Sequence, residues 1–399
     1  MRLALRWKRP EACAGAAAFL AAAVLAAGIF SNAARAQTTA GPALDTLDKL
    51  GQALFADRNL SFTRTQSCVS CHSPELAFTD PRELGKVEGA VSLGADGRSL
   101  GDRNSPSIEY VSFTPEFRFA ANGEPIGGFF WDGRARTLEE QAGGPPLNPA
   151  EMGMPDKQSV VARIGEDPRL AAAFRALFGE AVFEDTDRAY AAMTQALAAF
   201  ERRPDFSPFD SKYDRSLRGE TALTATEAQG RDLFFSRERS SCSACHMSNG
   251  DGARAAEVFT NFKYYNIGTP ANAKVRALNG SKPGHIDRGL AENPAAPGAV
   301  NEGKFKVPGL RNAAITGPYM HNGVFKDLRT VLLFHQRFSS DGLQIDPETG
   351  QPWENPEVPA NLALASLKAA PPLSESEIDA LIAFLKTLTG QRYERLVEK

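Results

Sequence analysis

Two short segments concentrate the chemistry of this chain: Cys68-Val69-Ser70-Cys71-His72 and Cys242-Ser243-Ala244-Cys245-His246. Of its five cysteines only Cys13 lies outside these two copies of C-x-x-C-H, and two of its five histidines close them. That spacing is the attachment motif of c-type haem. Two thiols three residues apart reach the two vinyl groups of one porphyrin as thioethers, and the adjacent imidazole binds iron axially. The competing readings are a disulfide within each motif, or one zinc site made from both. A histidine directly after each pair favours haem, so two covalently bound c-type haems are expected.

Each motif needs elements that hold it. Ahead of the first stands LGQALFADRNLSF and ahead of the second QGRDLFFSRERSS, which share G-x-x-L-F on an expected helix. The shared pattern indicates an internal repeat of two cytochrome c-type units. Thr224 and Glu227 form a capping box at the start of the second helix. Tyr190, Met193, Leu197 and Phe200 recur at helical spacing, as do Ile378, Leu381, Ile382, Leu385 and Leu388. The latter helix has a capping box, Ser374 with Glu377, and an expected stop at Gly390. FKDLRTVLLFH (325–335) reads as one amphipathic helix ending on His335. Between the helices, 81–128 and 247–310 are rich in Gly, Pro and Asn with little periodicity, and loops that long usually wrap a cofactor or form a site. The expected fold is mainly α, with two cytochrome c-like haem domains in tandem and long irregular loops. ERRPDFSPFDSKYDRSLRG (201–219) is charged and broken by Pro204 and Pro208, so the domains are placed at 37–210 and 211–399.

Residues 1–36 carry Arg2, Arg6, Lys8 and Arg9, an apolar stretch rich in Ala and Leu, and Ala34-Arg35-Ala36, the pattern of a secretory signal cut before Gln37. Residues 12–30 are nearly long enough for a membrane anchor, but the Ala-x-Ala site favours cleavage, after which no apolar segment long enough to span is left. Removing five of the 45 basic and one of the 48 acidic side chains leaves 40 against 47, a formal charge of −7. Nucleic acid is therefore not an expected partner.

Beside the two motifs stand GGFFWDGRARTLEEQAGGPPLNPAEMG between them, GKFKVPGLRNAAITGPYMHNGVFKDL after the second, and AFLKTLTG near the end. Together they resemble the bacterial di-haem cytochrome c peroxidases and their MauG-type relatives, over essentially the whole mature chain. The resemblance implies a periplasmic protein of two α-helical cytochrome c domains, hydrogen peroxide as oxidant, and a calcium ion between the haems. In such peroxidases the N-terminal haem reacts with peroxide while the C-terminal haem, six-coordinate, passes electrons. Some members close the first iron with a histidine from a loop after the first motif. This chain has no histidine between His72 and His246. The first iron is therefore expected to be open or water-bound without prior reduction.

The resemblance also assigns individual residues. Glu151, in NPAEMG, matches the distal glutamate that moves a proton between the peroxide oxygens, help typically worth ~10²–10⁴ in rate. Gln141 matches a second distal residue that orients peroxide or water, and Trp131 a tryptophan between the haems. As bare sequence, Glu151 is also a solvated loop side chain and Trp131 a packed aromatic. Phe129 and Phe130 read as pocket wall or core. Fourteen residues after His321, where peroxidases carry methionine and MauG-type members tyrosine as the second haem's sixth ligand, this chain has His335. Bis-histidine ligation by His246 and His335 is the expectation, with Met320 the rival and read as packing. His321 is expected to be a hydrogen-bonding partner near the haems and His285 a loop residue. Calcium is assigned to the Asn104 side-chain oxygen and the carbonyls of Thr316 and Pro318, an oxygen set suited to a hard cation, although Asn104 could equally form a turn. Arg134 and Arg136 are divided between haem propionates and the surface.

Three functions remain on this reading. One is a periplasmic peroxidase fed by a small cytochrome c or copper protein. Another is a MauG-type oxidase that turns the same ferryl chemistry on a side chain of a partner protein. The last is a non-catalytic di-haem electron carrier. A homodimer is compatible with all three.

Overall fold

The computed structural model describes residues 43–82, 89–247, 256–339 and 344–397. The expected signal segment lies outside them. The frame is two helix crossings, one in each half of the chain. In the first, the Leu47–Ala56 helix crosses the Thr186–Glu201 helix; in the second, the Ala225–Phe235 helix crosses the Glu375–Lys386 helix. The shared G-x-x-L-F explains both. A Cβ on Gly51 would lie 1.9 Å from the Ala196 carbonyl oxygen, and one on Gly230 would lie 1.8 Å from that of Ala380. Only glycine lets the two backbones meet at these points, and the following Leu-Phe pairs fall on the faces they share.

Each crossing seeds an apolar cluster. Leu50, Leu54, Phe55, Met193, Leu197 and Phe200 belong to one that ends at Phe206. Tyr213, Phe234, Phe259, Leu381, Phe384 and Leu388 belong to another. The segment between the clusters is firmly seated: Ser211 and Asp214 form a reciprocal cap on the Lys212–Leu217 helix, and Arg311 closes a fully buried bidentate pair on Asp214 at 2.7 and 2.8 Å. Such a pair gives geometry more than stability, because both ions lose their water.

The other described elements are short helical turns and two antiparallel ribbons. Arg118–Phe119 pairs with Pro125–Ile126, and Tyr264–Tyr265 with Phe305–Lys306. The two long loop regions are tied across the halves. Arg103 donates to Asp287 at 2.7 Å through both Nε and Nη2, and to Asp132 at 2.6 Å. The C-terminal segment returns to the first half, where the Tyr393 hydroxyl donates to the Pro74 carbonyl at 3.0 Å and Arg392 pairs with Glu109.

Both expected capping boxes form. Two expected boundaries shift. The helix leading to His335 spans Leu328–Gln336 and starts at Asp327, whose carboxylate accepts from the Arg329 amide at 2.6 Å, so Phe325 and Lys326 stand outside it. The Glu375–Lys386 helix stops before Gly390, because the Thr387 amide folds back on the Phe384 carbonyl at 2.9 Å and three-residue bonds close the last turn. Gly390 instead donates its amide to Asn312. Ile382, expected in the core, is half-buried, and Phe384 takes the inner position. Among the described residues no helix is long and apolar enough to cross a membrane.

Candidate active site

Both C-x-x-C-H segments curl into a tight turn. Cys68–Cys71 is a single helical turn capped by Ser67 and Ser70, and Cys242–Ala244 a three-residue one. In each, the histidine amide donates to the carbonyl of the first cysteine at 2.9 Å, which brings the imidazole back beside the thiols. His72 Nδ1 lies 2.9 Å from the Phe78 carbonyl, and His246 Nδ1 lies 3.1 Å from that of Phe259. A carbonyl can only accept, so each Nδ1 carries the hydrogen and each Nε2 keeps its lone pair. That is the tautomer an iron needs. Phe78 and Phe259 both adopt left-handed backbone, at φ 54° and 59°, which turns their carbonyls inward.

His335 repeats the arrangement of Nδ1 against a carbonyl. Its Nδ1 lies 2.7 Å from the Val331 carbonyl one helical turn back. Burial pushes His246 down to about 4, and the next largest cause is the charge His335 would carry, so the two imidazoles are neighbours on the cavity wall. His335 is also lowered, first by burial. In all three rings Nδ1 is the atom committed to a backbone carbonyl.

A continuous cavity of about 1340 Å³ joins the two motifs. Cys71, His72, Cys242, Cys245, His246 and His335 line it, as do Trp131, Gln141 and Glu151. Cys68 is not on that wall; its side chain packs against the first apolar cluster. Glu151 Oε1 accepts from Asn148 Nδ2 at 2.6 Å, and burial raises the carboxyl above its ordinary range despite that bond and the nearby Arg134. Gln141 sits on the Leu138–Ala142 helix. The Trp131 indole donates to the Asn104 carbonyl at 2.9 Å, and its own carbonyl accepts from Lys306. Phe129 and Phe130 form wall, with the Arg134 guanidinium over the Phe130 ring at 3.7 Å.

Asn104, Thr316 and Pro318 line the same cavity. Asn104 commits its Nδ2 to the Ala90 carbonyl at 3.2 Å, which leaves its amide oxygen for another partner. Arg136 pairs with Glu116 and Glu140 at the surface, away from the cavity. Met320 and His285 reach the cavity wall; His285 is exposed and 3.5 Å from Asp102. His321 also lines the cavity. Its ring stacks on Phe305 with centroids 3.5 Å apart, its buried Nε2 has no hydrogen-bond partner among the described residues but lies 4.0 Å from Asp287, and its backbone carbonyl accepts from the Asn104 amide at 2.7 Å.

Comparison with known proteins matches this geometry. Residues 46–222 match the family model described as di-haem cytochrome c peroxidase. The methylamine utilization protein MauG of Paracoccus denitrificans is 50% identical over 93% of this chain and 95% of its own. The chain belongs to the di-haem cytochrome c peroxidase and MauG family. The cytochrome c peroxidase Ccp of Escherichia coli is 34% identical over 86% of this chain and 57% of its own. A variant of the diheme peroxidase BthA from Burkholderia thailandensis superposes with a TM-score of 0.78 at 32% identity, covering 87% of each chain. As a family member the chain is a cytochrome c peroxidase-like oxidoreductase of peroxide chemistry with two haems.

The residues present fit that cofactor. Four free thiols stand in the attachment spacing, three imidazoles on the same cavity hold Nδ1 against a backbone carbonyl, and the cavity exceeds the ~300–1,000 Å³ of a single small-molecule site. Sequence reading missed Glu201. This carboxyl at the end of the Thr186–Glu201 helix is 5% exposed, lines the cavity, and has one oxygen without a partner. A local alignment would have found it: ALAAFE (196–201) repeats as ALIAFL (380–385).

Proposed function

We propose that this protein is a periplasmic peroxidase that reduces hydrogen peroxide at a first haem held by Cys68, Cys71 and His72, with electrons relayed through a second held by Cys242, Cys245, His246 and His335. The observation that carries the reading is an asymmetry of ligands. The second motif has another histidine, His335, near its own on the cavity wall, whereas the His72 end offers a carboxyl, Glu151, and an amide, Gln141. Bound haem iron supplies the redox chemistry that splits the peroxide bond. Glu151 takes a proton from one peroxide oxygen and returns it to the other; burial keeps its basicity closer to neutrality, where transfer in both directions is efficient. Asn148 holds Oε1 and fixes the carboxyl plane. Gln141 orients the peroxide. Trp131, held by the Asn104 carbonyl, offers an oxidisable indole between the motifs. Calcium would be held by the Asn104 amide oxygen and the Thr316 and Pro318 carbonyls, oxygen donors suited to it.

A second reading rests on the 50% identical relative named for methylamine utilization: the same site oxidises a side chain of a partner protein. Stopped-flow optical titration of the as-purified protein with hydrogen peroxide tests both. An immediate reaction followed by steady turnover with a reduced cytochrome or copper protein supports the peroxidase. A long-lived two-electron-oxidised state with slow donor turnover supports the protein oxidase. No reaction, with two six-coordinate irons, removes both.

A further inference from the structure

The two helix crossings make equivalent contacts at their glycines, which makes one mismatch informative. Gly51 meets Ala196 and Phe200 as Gly230 meets Ala380 and Phe384. In that register Glu201 occupies the place of Leu385. Both side chains line the cavity, and both are buried. The second compartment therefore has a leucine where the first has a carboxyl. Glu201 Oε2 has no hydrogen-bond partner. A buried carboxyl without a compensating bond costs several kcal/mol if charged, so it holds its proton instead. Burial raises Glu201 to about 8.

Its surroundings hold few charges. Arg202, the next residue, draws it down slightly but is itself engaged by Glu139 of the Leu138–Ala142 helix. Cys68, one of the two attachment thiols, lies near enough for the charge of Glu201 to push it up. His72 and Glu151 share the compartment without figuring among the causes of its shift.

We propose that Glu201 is a redox-linked proton site of the first haem. Ferric iron carries one more positive charge than ferrous iron and favours the carboxylate; when a one-electron reductant converts Fe(III) to Fe(II), the Glu201 carboxylate takes one proton from water. On oxidation the electron and the proton both leave. The leucine of the second compartment offers no such coupling. This inference rests on the placement of the first haem at His72.

The test is potentiometric titration of both haems in the holoprotein as a function of pH, for wild type, Glu201→Gln and Glu201→Leu. The reduced state holds the extra proton, so raising the pH disfavours reduction. In wild type the first haem potential is expected to fall toward ~59 mV for each tenfold loss of protons in the range around pH 8, the constant for a one-electron couple. Both variants should be flat there, and the second haem flat in all three proteins. A wild-type first haem whose potential does not move with pH would overturn the proposal without needing either variant to fold. So would a Glu201→Gln protein that keeps the wild-type slope. Failure of the peroxide titration would instead count against the proposed function, since this readout involves no peroxide.

Discussion

The two halves share a frame and differ in what faces the cofactor. In both, a glycine admits a helix crossing, a tight turn returns a histidine beside its cysteines, and a left-handed phenylalanine clamps Nδ1. Beyond that frame, the first compartment has Glu151, Gln141 and Glu201, while the second has His335 and Leu385. Repeating the scaffold fixes where haem sits. On the proposed function, a handful of different lining side chains would leave one iron open to substrate and enclose the other.

The largest way to break this comparison is at Glu151. Glu151→Gln keeps the shape and the Asn148 contact but removes the proton acceptor, so the bimolecular rate with peroxide should fall ~10²–10⁴-fold. An unchanged stopped-flow rate would make the first compartment no more catalytic than the second. At the second site, His335→Met should raise that haem's potential within the ~0.8 V range that axial ligands set, leaving the first unchanged. A potential shift at neither haem, measured by optical titration, would remove His335 from the ligand set.

The shared frame can be tested too. Gly51→Ala and Gly230→Ala each force a methyl into a carbonyl oxygen, and overpacking of this kind costs about 1–3 kcal/mol. Denaturant unfolding followed at both haem bands should show similar losses for the two variants; a loss in only one would mean the crossings are not equivalent.

A smaller effect concerns the tie between halves. Burial alone would raise Asp287, but Arg103 overrides it and holds the carboxyl down to about 2. A depressed carboxylate adds stability that is present above its ordinary value near 3.8 and lost as pH falls toward 2, here about 2 kcal/mol. Arg103→Ala should flatten that acid limb of the stability profile, and a wild-type limb in the variant would exclude the pair as its source.

The sequence made the cysteine and histidine spacing legible because thioether attachment demands it. It also revealed G-x-x-L-F, but not that Ala196 and Ala380 are the surfaces those glycines touch, since a crossing partner lies far along the chain. His335 was placed by register with PYMHNG, and its helix boundary was missed because Asp327, an ordinary charged residue, sets the start. The fate of His321 was illegible: its neighbour Phe305 comes from a loop without periodicity. Glu201 was hidden at the charged edge of ERRPDF, where a glutamate reads as solvated until burial is known.

One consequence follows from the carbonyl clamps on His72 and His246. The groups that set ring tautomer belong to the main chain, at Phe78 and Phe259, so exchanging either side chain leaves the clamping atom in place. A saturation mutagenesis screen would therefore register these positions as tolerant or intolerant according to ring packing and to how well each replacement accepts left-handed backbone. The atoms that prepare each proposed ligand are ones no codon change can delete.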